Sequence, residues 1–279
     1  MLKQRLITAA ILLPLVVWLI LKLPSVYVAA LLALVVCQGG WEWGGLMRQS
    51  STLLRGVFVV AVAIALAGAG WLLLSDEFRW LALPVLSLFW WLLAAIWVLS
   101  YPASSKRWSN SAIQWLIGLA LLLPTWVAVI GLHQSGSQGP YLVLYLLSLI
   151  WVADSGAYFG GRQWGRRKLA PAVSPGKTWE GVFSALVASA IYAGLAIAFF
   201  SLPRNLWAAF VVLSLVTVIF SILGDLTESM FKRQAGIKDS GSLLPGHGGV
   251  LDRIDSVTAA APVFVVGFWL SGLMEINAV

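Results

Sequence analysis

The sequence predicts an all-α, polytopic integral membrane protein of about nine transmembrane helices, with the N-terminus cytoplasmic and the C-terminus periplasmic. Three observations carry that expectation. The first is composition. Of 279 residues, 60% are apolar and 10% charged, and mean hydropathy is +0.91. A soluble domain has about 25% charged residues. So little polar surface cannot cover a water-facing sphere, which excludes a soluble domain and a disordered chain. The single cysteine, Cys37, lies in an apolar run, so an intramolecular disulfide is also excluded. The second observation is length: nine segments reach the roughly 20 mostly apolar residues that a membrane helix needs. The third is the placement of basic residues on alternate sides of those segments.

The first segment, 6–23, follows Lys3 and Arg5 as a signal peptide would. No small-residue cleavage site follows it cleanly, so it reads as a retained first span. A short turn at Lys22–Pro24 separates it from 26–46. Then come 54–74, 79–100, 112–132, 140–160, 180–201, 205–227 and 256–275, the eighth carrying charge at its C-terminal end. With the N-terminus inside, 15 of the 18 Lys and Arg fall on inside segments, and only Lys22, Arg79 and Arg204 fall outside. A wrong span count would scramble that asymmetry. The net charge of +7 is therefore first an orientation signal. Trp18, Trp41, Trp43, Trp71, Trp80 and Trp151 lie near span ends and suit interfacial belts. His133 is expected in an outside loop, without a chemical role.

The chain reads as one membrane domain, 1–279, with spans in 6–132 as scaffold and spans in 140–275 as the catalytic part. Two longer loops, 161–179 and 228–255, are rich in Gly, Pro, Lys, Arg and Asp. Long loops in compact proteins are usually functional or disordered. Acids are scarce and uneven: seven of the 11 lie between 154 and 255. An ionisable group at membrane depth is a functional candidate by default. Asp154 sits late in an apolar span, and Asp225 ends the eighth.

Asp225 and Glu228 are three apart on an expected helix, so their carboxylates share a face. Asp252 and Asp255 repeat the spacing where the ninth span begins. Two such pairs suit a hard cation such as Mg²⁺, which takes oxygen ligands and keeps waters for substrate phosphates. Each pair also has a plainer reading. Glu228 can reach Lys232 at i+4, and Asp255 can cap the ninth helix. Between the pairs run Lys232, Arg233, Lys238, Asp239 and the stretch Gly246-His247-Gly248-Gly249. Glycines let backbone N–H groups approach an anion, and Lys and Arg beside them add charge and donors. Acids, bases and glycines together describe a metal–phosphate site. His247 is open between general base, phosphate donor and turn residue.

In the first loop, Ser174-Pro175-Gly176-Lys177-Thr178 looks like the end of a P-loop. The first glycine of that motif would be residue 171, which is Pro171, and no soluble βα unit surrounds it. A P-loop fold is rejected, while a phosphate contact by Lys177 at a helix start stays open. Arg162, Arg166, Arg167 and Lys168 fit anionic lipid heads equally well.

Read as one string, residues 229–255, from Ser229 through Lys232-Arg233, Lys238-Asp239 and Pro245-Gly246-His247-Gly248-Gly249 to Asp252-Arg253-Ile254-Asp255, resemble the motif of phosphatidate cytidylyltransferases, also called CDP-diacylglycerol synthases. Ala153–Tyr158, Lys168–Gly181 and the opening Leu2–Leu6 resemble the same family. Val182-Phe183-Ser184-Ala185 stands where relatives often carry paired glycines. The resemblance implies the reaction CTP + phosphatidate → CDP-diacylglycerol + pyrophosphate. It also implies a bacterial inner-membrane homodimer whose active site faces the cytoplasm, Mg²⁺ dependence, and a second monovalent cation such as K⁺. It places the cation on Asp225 and Asp252, with Glu228, Asp239 and Asp255 as further ligands or supporting groups. Lys232, Arg233, Lys238 and Arg253 are expected to hold phosphates. Gly246, His247, Gly248 and Gly249 are expected to approach the triphosphate. Ser174 and Lys177 are expected to close over one substrate, and Asp154 to line the cavity or bind cation. A cation- or proton-coupled secondary transporter is the alternative class, and it predicts inverted repeats with acids near the midplane. No repeat occurs, and the acids sit at span ends. A CDP-alcohol phosphotransferase would need an Asp-Gly motif with aspartates at helical spacing, which is absent. No nucleic-acid partner is expected.

Overall fold

The computed structural model describes the backbone of residues 2–9 and 74–75 and all atoms of 10–47, 51–73, 79–243, 246 and 248–273. Among these, nine long helices follow one another: α1 (Leu2–Lys22), α2 (Ser25–Leu46), α3 (Thr52–Ser75), α4 (Ala82–Leu99), α5 (Ser111–His133), α6 (Gly139–Trp164), α7 (Trp179–Phe199), α8 (Trp207–Ala235) and α9 (Leu251–Leu270). Eight of them are long and apolar enough to cross a bilayer, and α1 adds the shorter apolar stretch Ala10–Lys22. The chain is an all-α membrane protein. Leucines, valines and aromatics such as Leu53, Ile64, Phe89, Leu99 and Phe183 point outward, exposed. α5 and α9 lie innermost. Along them Leu121, Leu122, Val127, Phe264 and Val265 are buried among the other helices.

Two element boundaries differ from the sequence expectation. The eighth helix runs on to Ala235 and the ninth begins at Leu251, so the loop expected at 228–255 shrinks to 236–250. Hydropathy marks where lipid contact ends, whereas helix propensity and packing carry the backbone hydrogen bonds further. Gly236 stops α8: its φ of +75° is left-handed, and its N–H and that of Ile237 return to the carbonyls of Arg233 and Lys232. A residue with no Cβ adopts that conformation without steric cost. The other long loop, expected to be irregular, holds a two-stranded antiparallel hairpin, β1 (Lys168–Ala170) and β2 (Ser174–Thr178).

Close packing sets the helix pairs around the site. A Cβ on Gly160 of α6 would run into Ser184 of α7, and one on Gly224 of α8 would run into the Asp255 carbonyl of α9. Behind α8, Phe231 is wedged between Trp43 and Trp108, with ring centroids 4.7 and 4.6 Å away in edge-on contact. That wedge fixes the rotation of α8. Trp43, in that wedge, and Trp80, packed against Gly131 of α5, are buried and not interfacial. Trp18, Trp41, Trp71 and Trp151 are exposed. His133 is also corrected: it lies buried in the last turn of α5, with one ring nitrogen 2.8 Å from Ser25 Oγ and the other 2.9 Å from the Ile20 carbonyl.

Candidate active site

The ends of α2, α6 and α8 and the starts of α7 and α9 meet at one end of the molecule, with the hairpin beside them. α7 starts at Thr178, whose Oγ1 accepts the Gly181 N–H at 3.2 Å. Glu180 in its first turn accepts the N–H groups of Arg166 and Arg167 at 3.0–3.2 Å. These bonds hold the hairpin against α7. Arg233 reaches over from α8 and donates its Nε–H to the Val173 carbonyl at 3.2 Å. Arg233, expected to hold phosphate, therefore has a structural partner in this arrangement.

The hairpin delivers Lys177 to α8, where its Nζ lies 2.6 Å from Asp225 Oδ2. Asp225 Oδ1 accepts the Ser229 hydroxyl at 3.2 Å. Asp154, Lys177 and Asp225 line a cavity of about 380 Å³ with Tyr158, Arg162 and Gly176. Ser174 lies at the start of β2, half-buried. A larger groove, about 890 Å³, runs along the outer face of α7 past Trp164, Arg166, Arg167, Trp179 and Phe183. An apolar wall with two arginines at its rim matches the lipid-head reading of those arginines.

The second centre bridges α8 and α9. Lys232 Nζ stands 2.7 Å from Asp252 Oδ1 and 3.5 Å from Glu228 Oε1. Asp252 Oδ2 accepts the backbone N–H of Ser240 at 2.9 Å and of Gly249 at 2.8 Å. Glu228 is buried, with its carboxyl group beside Lys232 and against the carboxyl group of Asp255. Asp255, half-buried, lies within electrostatic range of Asp225, Glu228 and Lys232. Its Oδ1 accepts the Ser256 N–H at 2.7 Å. It stands inside α9 and does not cap it. One lysine thus sits among acids from two helices in a partly dry setting, where each charge matters more than at a surface.

The remaining candidates are placed differently. Lys238, Asp239 and Arg253 are exposed, with no ion pair among the described residues. Gly246 and Gly248 are left-handed turn positions, at φ +76° and +81°, and His247 lies outside the described residues. Gly249 is buried. Sequence reading passed over Glu42. It is the one acid in an apolar span of the first half, and that isolation was the available signal. Its buried carboxylate accepts from Ser240, Val250 and Leu251.

Among the described residues no three His, Cys, Asp or Glu side chains form a closed metal cage. A hard cation does not require one, since Mg²⁺ is commonly held by one or two carboxylates, waters and substrate phosphates. The donor set fits that mode. A carboxylate offers about four lone-pair positions, and Asp225, which takes only the Ser229 hydroxyl and the Lys177 ammonium among the described residues, keeps some of them open.

The sequence was compared with known proteins. Residues 3–271 match the cytidylyltransferase family. A phosphatidate cytidylyltransferase of Pseudomonas aeruginosa is 44% identical over 98% of this chain and 98% of its own length. One from Haemophilus influenzae is 42% identical over 95% of this chain and 97% of its own length. A Staphylococcus haemolyticus protein of the same name is 36% identical over 61% of this chain. With a family match that runs nearly end to end, the chain belongs to the cytidylyltransferase family.

Proposed function

We propose that this protein transfers the cytidylyl group of CTP to phosphatidate, forming CDP-diacylglycerol and releasing pyrophosphate. The observation that carries the reading is the Lys232-centred cluster of acids on α8 and α9, joined to a glycine-rich segment at the end of a membrane bundle. Full-length relatives named phosphatidate cytidylyltransferase support it. One substrate is a lipid and the other a polyanion, and an apolar bundle with a charged end is suited to both.

In the proposed reaction a phosphatidate phosphate oxygen attacks the α-phosphorus of CTP. The bond from that phosphorus to the bridging oxygen breaks, and pyrophosphate carries the electron pair away. The nucleophile is already anionic, so no strong base is demanded. Positioning and charge neutralisation supply most of the rate. Lys232 and Lys177 neutralise phosphate charge from two sides and exchange their carboxylate partners for phosphate oxygens. Lys238 and Arg253, exposed at the rim, capture the incoming nucleotide, and the glycine-rich segment presents backbone N–H groups.

Mg²⁺ belongs to the same proposal, with Asp225 and Asp252 as its holders and Glu228, Asp255 and Asp154 near by. When bound it would draw charge from the phosphates in the transition state. A monovalent cation such as K⁺, a homodimer, and an inner-membrane protein with this end facing the cytoplasm complete the reading. The orientation is supported by 15 of 18 basic residues on that side. The test is pyrophosphate release by the purified protein in detergent. It is expected to require CTP, phosphatidate and Mg²⁺ together and to stop on chelation. Release without phosphatidate, or undiminished release in chelator, would refute the corresponding part.

A further inference from the structure

Glu42 lies near the C-terminal end of α2, among the spans read as scaffold, and is only 4% exposed. Its Oε2 accepts the Leu251 N–H at 2.8 Å and the Ser240 hydroxyl at 3.0 Å. Its Oε1 accepts the Val250 N–H at 3.0 Å and the Gln38 side-chain amide at 3.1 Å. Three of these four donors belong to the segment 240–251, about 200 residues away along the chain.

The reason for the contact lies in α9. The first N–H groups of a helix have no intrahelical acceptor, and the helix dipole favours a negative charge there. The residue preceding α9 is Val250, whose side chain supplies no cap. Glu42 supplies it from another helix. The glycines of the segment follow from the same contact. A Cβ on Gly241 would stand 2.6 Å from Glu42 Oε1, and one on Gly249 would collide with Glu42 Oε2 and Ser240 Oγ. Ser240 and Gly249 also donate their backbone N–H groups to Asp252 Oδ2. Ser240 at one end of the segment and Gly249, Val250 and Leu251 at the other are therefore clamped between two carboxylates, Glu42 on one side and Asp252 on the other.

We propose that Glu42 is a positioning residue for the nucleotide half of the site. It holds the glycine-rich segment and the start of α9 so that Asp252 meets Lys232 and the backbone N–H groups face the CTP phosphates. This rests on the function proposed above. Glu42 touches neither substrate. Its loss should loosen the nucleotide side and leave the lipid side alone.

The test uses the full-length protein in detergent, with pyrophosphate release followed while CTP and phosphatidate are varied in turn. Glu42→Gln keeps the side-chain size and one acceptor but turns an NH₂ donor toward backbone N–H groups. Its KM for CTP is expected to rise about tenfold, with the phosphatidate KM within about twofold of wild type. Ser240→Ala removes one Glu42 partner and keeps the backbone bonds to Asp252, so its CTP KM should move the same way, about two- to threefold. A merely structural role would lower the active fraction, and hence kcat, with both KM values unchanged. That result, or an equal rise in both KM values, overturns the proposal. If Glu42→Gln does not elute as folded protein, Ser240→Ala decides. Absence of CTP- and phosphatidate-dependent release in the wild type would instead overturn the functional reading, and this inference with it.

Discussion

α7 and α9 both begin at the charged end of the bundle, on either side of α8 in the packing order. α7 is capped by its own first residues: Thr178 Oγ1 takes the Gly181 N–H three positions on. α9 starts after Val250, which caps nothing, and draws its acceptor from Glu42 on α2. Asp252 in its first turn folds back onto Gly249 and Ser240. A local cap stabilises one helix and concerns little else. A remote cap ties α2, the glycine-rich segment and α9 into a single unit. Damage at the start of α9 should therefore reach the chemistry, and loss of the Thr178 cap by itself should largely stay local.

That contrast can be broken at several points. Asp252→Asn keeps an oxygen for the Ser240 and Gly249 N–H groups but strips Lys232 of its nearer charged partner, leaving Glu228 at 3.5 Å. Transfer should fall by about 100-fold or more while the protein elutes as folded. Near-normal turnover would remove Asp252 from the reaction. Gly249→Ala forces a methyl into Glu42 and Ser240, and a loss on the order of 10- to 100-fold is expected in kcat/KM for CTP. Wild-type rates would mean that the segment gives way freely and that the clamp is slack.

Lys177→Ala frees Asp225 from its 2.6 Å partner. About a tenfold loss of kcat/KM is expected if Lys177 exchanges Asp225 for phosphate. Unchanged kinetics would reduce the bridge to a fastening of the hairpin. Thr178→Ala should have the smallest effect on catalysis. It should cost about 1 kcal/mol in stability, the usual worth of a threonine cap, read as a lower melting temperature in detergent with kcat near wild type. A large drop in kcat would show that the start of α7 is coupled to the chemistry after all.

The sequence was informative where a signal is local. Apolar runs marked the helices because a bilayer admits backbone only when its hydrogen bonds are satisfied internally. Asp225 and Glu228, and Asp252 and Asp255, lie on helices, as the i,i+3 spacing implied. Legibility failed where partners are distant. Nothing in the order of residues joins Lys177 to Asp225, or Glu42 to Val250 and Leu251. Trp43 and Trp80 looked interfacial because span ends usually are, yet helix packing closed over them. The run of α8 past Glu228 to Ala235 was equally hidden, because hydropathy does not report helical backbone past the bilayer edge.

By itself, then, the sequence determined the order of the apolar helices and the chemical inventory of one end of the bundle: scarce acids, bases and glycines between 154 and 255. Composition and short spacings suffice for that. Tertiary structure alone decided which acid faces which base, and it made a carboxylate of α2 the cap of α9. The physical reason is that a buried charge must find its partner in space, and packing can bring that partner from about 200 residues away.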